Sequence, residues 1–206
     1  MTKRPTLDEI ALREGTDKSS RGHGFADIYE ELIGDRREQP LTVLEIGVHE
    51  GASLRMWRDY LPNATVVGID KNEGSAAHAG ERISVYVGSQ GRTSLLERVA
   101  AETGPFDLVV DDGSHLFKAQ TTSLEHLWPH LRPGGTYVIE DINTSYMESY
   151  GMAWREPDTT VESLKGVVDD VHASCHRQPT TLDDVESIHF HFALCAIRRS
   201  RLSAKA

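Results

Sequence analysis

The stretch TVLEIGVHEGASL, residues 42–54, decides the fold class. Thr42–Ile46 is a short apolar run of the kind a strand buried on both faces of a parallel sheet presents. Gly47 and Gly51 then punctuate the chain, and the apolar spacing over Ser53–Tyr60 turns helical. Outward from this unit the alternation repeats. Strands are expected over Thr65–Ile69, Ile83–Val87, Leu108–Val110 and Tyr137–Ile139, and helices over Thr93–Thr103 and Gln120–His130. Pro133, Gly134 and Gly135 read as a helix stop and turn. Strand–helix–strand repetition at this spacing predicts a doubly wound α/β fold with right-handed crossovers. The end of the chain breaks the rhythm: VESIHFH (185–191) runs directly into FALCAIRR (192–199), with alternation at Ile188, Phe190, Phe192 and Leu194. Strands joined that tightly pair antiparallel. The expected architecture is a Rossmann-like, mostly parallel, seven-stranded sheet ending in an antiparallel hairpin. It forms a single domain over 1–206, with a helical cap at 1–40 and an insertion at 143–182 on the substrate side that holds a helix-like run around Val161–His176.

Composition narrows the function classes. The chain has 206 residues, enough for a substantial core without disulfides or metal. Its 22 basic and 32 acidic residues leave a net charge of −10, which repels nucleic-acid phosphates and anionic lipid. Neither nucleic acid nor a membrane is therefore expected as a partner. The only local basic cluster, Arg198, Arg199 and Arg201, reads as a solvated strand end. Two cysteines, Cys175 and Cys195, cannot build a disulfide framework. The N-terminal MTKRPTLDEIALREGTDK lacks the apolar stretch of a signal peptide, and no apolar run nears the ~20 residues that span a bilayer. A cytoplasmic location is expected.

Ligands of open α/β sheets bind outside the carboxyl ends of the strands, so those positions carry the chemistry. They read Glu45-Ile46-Gly47-Val48-His49-Glu50-Gly51-Ala52-Ser53 after the first strand, Asp70 after the second, and Gly88-Ser89-Gln90 after the third. Asp111-Asp112-Gly113-Ser114-His115 follows the fourth and Glu140-Asp141 the fifth. Gly47 and Gly51 let backbone approach a ligand, yet the G-x-G-x-x-G spacing of a pyrophosphate site is missing. Glu45 would repel a pyrophosphate and suits a cationic ligand. Asp70 stands where an acceptor can take both hydroxyls of a ribose. Together they point to a nucleoside carrying positive charge, S-adenosylmethionine (SAM), with Glu45, Gly47, Val48, Gly51, Ser53, Asp70, Ser89, Gln90 and Asp111 as the cofactor-binding set.

The motifs TVLEIGVHEGASL, VVGID, GSQ, DLVVDDGSH and LRPGGTYVIED together resemble a class I SAM-dependent methyltransferase. More narrowly, with GTDKSSRGHGFADIYE near the N-terminus and the ESIHFH–FALCAIRR hairpin, the chain is similar to the metal-dependent sugar O-methyltransferases of antibiotic tailoring, of the macrocin and mycinamicin type. His49 replaces the middle glycine of the commoner methyltransferase loop. The resemblance implies Asp112, Glu140 and Asp141 as ligands of Mg²⁺ (or Mn²⁺) and His115 as general base. It further implies a small-molecule glycoside as substrate and assembly into a homo-oligomer. The chemistry asks for the same parts. A sugar hydroxyl is a weak nucleophile near neutral pH; a hard cation held by carboxylates can bind neighbouring hydroxyls and lower the pKa of one. An imidazole then takes the proton, a step worth ~10²–10⁴ in rate.

Other readings compete. The acids after the fourth and fifth strands could be solvated strand caps, and His115 could cap the following helix. His126 and His130, four apart on a helix, raise zinc, although no HExxH or nearby cysteine accompanies them. Thr16-Asp17-Lys18 and Tyr29 could close over a ligand or simply start a helix. His189 and His191 fall on one face of the terminal hairpin. Trp154 and Tyr146 could stack on a sugar or aglycone. At the level of function, a cephalosporin-hydroxylase-like or otherwise diverged member could use the same SAM and metal site for another reaction. A binding module without catalysis and an NAD-dependent oxidoreductase complete the alternatives.

Overall fold

Two short amphipathic helices open the chain: α1 (Leu7–Glu14) and α2 (Phe25–Ile33). The structure is a computed structural model and describes residues 4–176 and 178–202. Helix α1 starts on a capping box. The Thr6 hydroxyl accepts from the Glu9 N–H and the Glu9 carboxylate accepts from the Thr6 N–H, an arrangement worth about 0.5–2 kcal/mol. Its Gly15 cap takes φ +76°, which ends the helix.

The chain divides into two compact units, one running through Gly88 and the other from Ser89. In the first, β1 (Thr42–Ile46), β2 (Thr65–Asp70) and β3 (Ile83–Val87) are parallel, with β2 in the middle. Val43, Leu44, Val66, Val67 and Ile69 are fully buried, which explains the unbroken apolar runs. Helix α3 (Ala52–Tyr60) turns Leu54, Met56, Trp57 and Tyr60 inward. Burying each of these large side chains contributes on the order of 1.5–3 kcal/mol.

The second unit contains α4 (Thr93–Thr103), β4 (Phe106–Asp111), α5 (Phe117–Leu127), β5 (Leu131–Glu140), α6 (Thr160–Asp170), β6 (Val185–His191) and β7 (Leu194–Arg199). Its strands run β4-β5-β7-β6; β4 and β5 are parallel, whereas β7 is antiparallel to both β5 and β6. The alternation of α and β elements, with the antiparallel pair last, is the doubly wound, mostly parallel α/β class of seven strands expected from the sequence.

Four local expectations are corrected. Pro133, Gly134 and Gly135 do not stop a helix. Helix α5 starts earlier and ends at Leu127, a 3₁₀ turn covers Trp128–His130, and the glycines lie inside β5. They form a bulge: Phe106 and Leu108 of β4 face Leu131 and Thr136 of β5. Gly134 sits at φ +78°, and a Cβ on Gly135 would lie 2.9 Å from the Arg132 carbonyl. The run beginning at Val161 is helical only to Asp170, with a 3₁₀ turn at Ala173–Cys175. The hairpin alternation also fails, since Phe190 and Phe192 are exposed while Leu194–Ile197 are buried without a break. Strand β6 is an edge strand and β7 an interior one. Finally, Arg199 is only partly solvated. It donates to the Trp128, Pro129 and Leu131 carbonyls at 3.4, 3.1 and 2.6 Å, and Arg198 pairs with Glu186.

Candidate active site

In the first unit, the turn after β1 is shaped by backbone that only glycine adopts easily. Gly47 has φ +98° and Gly51 φ +70°, and a Cβ on Gly51 would meet the His78 ring at 2.7 Å. His49 also lies in the left-handed region, at φ +47°. Asp70 fastens this turn. Its Oδ2 accepts from the Val48 and His49 N–H groups at 2.8 and 2.9 Å, and its Oδ1 from Asn72 N–H at 2.8 Å. Burial pushes the Asp70 carboxyl upward, but the three backbone donors and Lys71 outweigh it and hold it below the ordinary value of 3.8. A carboxylate oxygen has two lone pairs, so Oδ2 is filled by Val48 and His49 while Oδ1, which accepts one bond, keeps acceptor capacity toward a ribose hydroxyl. Val48 is buried and Ser53, in the first turn of α3, nearly so.

Glu45 was read as an acid for a cationic ligand; the structure already gives it a cation of its own. Its side chain is fully buried, with Oε2 accepting from Trp57 Nε1 at 2.6 Å and Oε1 3.5 Å from Lys18 Nζ, itself 1% exposed. Tyr29 packs edge-on against Trp57, with centroids 4.9 Å apart. Lys18 and Tyr29 of the N-terminal block therefore support the end of β1 from inside the core. Glu45 stands between the apolar Leu44 and Ile46, but Lys18 lies in the polar run Thr16-Asp17-Lys18-Ser19, so no local sequence pattern signals the pairing.

In the second unit the DDGSH turn rests on a buried polar network. Asp111 is wholly buried, and burial pushes its carboxyl up to about 7 against hydrogen bonds from Gln90, Ser123 and the Gly113 N–H. Gln90 Nε2 donates to Asp111 Oδ1 at 3.0 Å and to Ser123 Oγ at 3.1 Å, and its Oε1 accepts from Ser114 N–H at 2.7 Å. Tyr137 closes the network 3.5 Å from Asp111. The amide of Gln90 is thus engaged with the turn, and Ser123 and Tyr137 are members that the sequence reading missed.

At the ends of β4 and β5 the structure gathers Asp112, His115 and Asp141. One candidate ligand atom from each lies within 4.8 Å of the others, and His115 Nε2 is 3.6 Å from Asp141 Oδ2. Octahedral oxygen or nitrogen ligands around a small divalent ion stand ~3–4 Å apart, so this donor set fits one hard cation with small side-chain adjustment. Glu140 ends β5, is 1% exposed, and is not among these three. His115 precedes the α5 cap, Leu116, and so does not cap the helix. His126 instead turns its Nδ1 to the Thr122 carbonyl, and neither it nor His130 belongs to a metal-type cluster among the described residues.

A family model described as a methyltransferase domain matches residues 44–142, which hold both glycine turn and acid–histidine cluster. Residues 44–142 are thus similar to a methyltransferase domain. The tetracenomycin rhamnoside 3′-O-methyltransferase of Streptomyces olivaceus (8-demethyl-8-(2-methoxy-alpha-L-rhamnosyl)-tetracenomycin-C as named substrate) is 40% identical over 182 residues, 83% of this chain and 46% of its own length. Mycinamicin VI 2″-O-methyltransferase of Micromonospora griseorubida is 34% identical over 97% of this chain and 54% of its own. The MycE methyltransferase of the mycinamycin pathway, solved with Mg, S-adenosylhomocysteine and mycinamycin VI, is 32% identical. Its TM-score is 0.88 over 97% of this chain and 56% of that one. The chain spans about half the length of these relatives. The chain is thus similar to O-methyltransferases named for a rhamnosyl-tetracenomycin and for mycinamicin VI, the kind of relative its motifs implied.

Proposed function

We propose that this protein is a SAM- and Mg²⁺-dependent O-methyltransferase that methylates a sugar hydroxyl of a glycosylated natural product. The observation that carries the reading is the convergence of Asp112, His115 and Asp141. A fold scaffold has no use for two acids and an imidazole at adjoining strand ends. The likeness to glycoside O-methyltransferases supports the substrate class.

The first unit would hold the cofactor. Asp70 takes the ribose hydroxyls, and Gly47, Val48, Gly51 and Ser53 shape the turn around the nucleoside. Glu45, paired with Lys18 and accepting from Trp57, belongs to the cofactor-binding set through its support of the end of β1, from which that turn starts. In the second unit, Ser89, Gln90 and Asp111 are the residues we assign to the cofactor, and the last two fix the DDGSH turn. Asp112, Glu140 and Asp141 would hold the metal. Bound there, a hard cation would lower the pKa of the acceptor hydroxyl, and SAM would supply the electrophilic methyl, its sulfur–methyl bond breaking to leave S-adenosylhomocysteine. His115 receives the hydroxyl proton as the C–O bond forms. The remaining task of the chain is to keep acceptor oxygen, methyl carbon and sulfur in line. Residues 1–40 serve as a helical cap and 143–182 as a substrate-side insertion of one methyltransferase domain. The acceptor is a small-molecule glycoside, and the protein works in the cytoplasm as a homo-oligomer.

Calorimetric titration of SAM into chelator-stripped protein, repeated with Mg²⁺ and with Asp70→Ala, tests the cofactor assignment. The expected result is saturable binding in the parent that Asp70→Ala weakens by at least about tenfold, the loss of ~1.4 kcal/mol or more. An absence of binding in every condition would remove the methyltransferase reading and leave the metal cluster to another reaction.

A further inference from the structure

The centre contains two strained residues. His115 and Asp141 both occupy the left-handed region, at φ +55° and +53°. For a residue with a Cβ this costs about 1–3 kcal/mol, and it persists only where the surroundings hold it. One side chain touches both. Thr144, buried in the 3₁₀ turn that follows β5, places its Oγ1 3.2 Å from the His115 carbonyl oxygen and 2.8 Å from that of Asp141. The Thr144 N–H also donates to the Asp141 carbonyl, at 3.0 Å. A hydroxyl carries one proton, so the two carbonyls share it.

We propose that Thr144 is the positioning residue of the metal and base centre. Its hydroxyl ties the turn that carries Asp112 and His115 to the strand end that carries Asp141. The inference rests on the metal reading given above. The clamp works through backbone: with both carbonyls drawn to one point, the left-handed turns are held, and with them the directions of the His115 ring and the Asp141 carboxylate. Threonine suits the task because its branched Cβ restricts χ1 and keeps the hydroxyl aimed. Thr144→Val keeps shape and branching and deletes the donor, whereas Thr144→Ser keeps the donor.

The test is Mn²⁺ binding to folded protein, read by electron paramagnetic resonance without cofactor or acceptor, alongside thermal midpoints. Groups that orient ligands from outside typically carry ~10–100-fold in metal affinity. The expected result is that Thr144→Val weakens Mn²⁺ binding within that range and Thr144→Ser restores most of it. Thr144→Ala, expected to match Thr144→Val, keeps the comparison open if the valine variant fails to fold. A hydroxyl with a merely structural role would lower the midpoint and leave the affinity of folded protein alone. Parent-like affinity in Thr144→Val or Thr144→Ala, or equal loss in Thr144→Ser, overturns the clamp while leaving the metal reading intact. Failure of the parent itself to bind Mn²⁺ overturns both.

Discussion

His115 shows what a single residue must do here. Its Nε2 faces Asp141 at 3.6 Å, close enough for the ring to serve as proton acceptor or as metal ligand. The two roles separate experimentally. As the base, His115→Ala loses about 10²–10⁴ in kcat and binds Mn²⁺ as the parent does. As a ligand, it loses metal affinity as well, and that result would place His115 in the metal set beside Asp112 and Asp141. Asp70 makes a second prediction, about pH. Its carboxyl is held below the ordinary value of 3.8, so the charged form is the one the fold favours. Its contribution to stability is present above that ordinary value and is lost as pH falls below it. Asp70→Asn should therefore lower the thermal midpoint at neutral pH, with the deficit shrinking only as pH falls through and below the ordinary value of 3.8. A deficit that stays constant over that range would mean the charge of Asp70 does not fasten the glycine turn.

At the scale of elements, the Lys18–Glu45 pair joins the N-terminal block to β1. Both side chains are out of water, so removing one leaves an uncompensated buried charge. Lys18→Met should cost about 3–5 kcal/mol in denaturant unfolding. The double variant Lys18→Met/Glu45→Gln keeps an acceptor for Trp57 and recovers much of that loss; equal losses in single and double variants would show that charge compensation is not what the pair provides. This pairing was only half legible. Glu45 stood out at the end of a strand, but no local pattern told that its partner lies in the loop before α2. By contrast β1, β3 and α4 were read with their true limits, because each is an apolar run with a polar or glycine boundary that burial makes obligatory. The Pro133–Gly134–Gly135 bulge misled because turn and bulge call for the same residues, and only the strand across from it distinguishes them. Phe190 and Phe192 misled because alternation reports a buried face only where a partner layer covers it.

Across the whole molecule, the acid-rich strand ends were the most readable part of the site, since their position follows from topology. What the sequence could not show was which acids turn inward: Asp111 supports the turn from within, whereas its neighbour Asp112 joins His115 and Asp141. No described helix is long and apolar enough to cross a membrane. The central claim joins cofactor, metal and glycoside in one reaction, and one measurement addresses all three. Purified protein would be incubated with SAM, Mg²⁺ and rhamnosyl or olivosyl acceptors bearing free hydroxyls, with and without chelator, and S-adenosylhomocysteine and the sugar methyl ether followed by mass spectrometry. The account predicts equal amounts of both products, arrest by the chelator, and recovery on adding Mg²⁺ back. Methyl transfer that proceeds unchanged in the chelator, or SAM consumed without any methyl ether on the sugar, would contradict it.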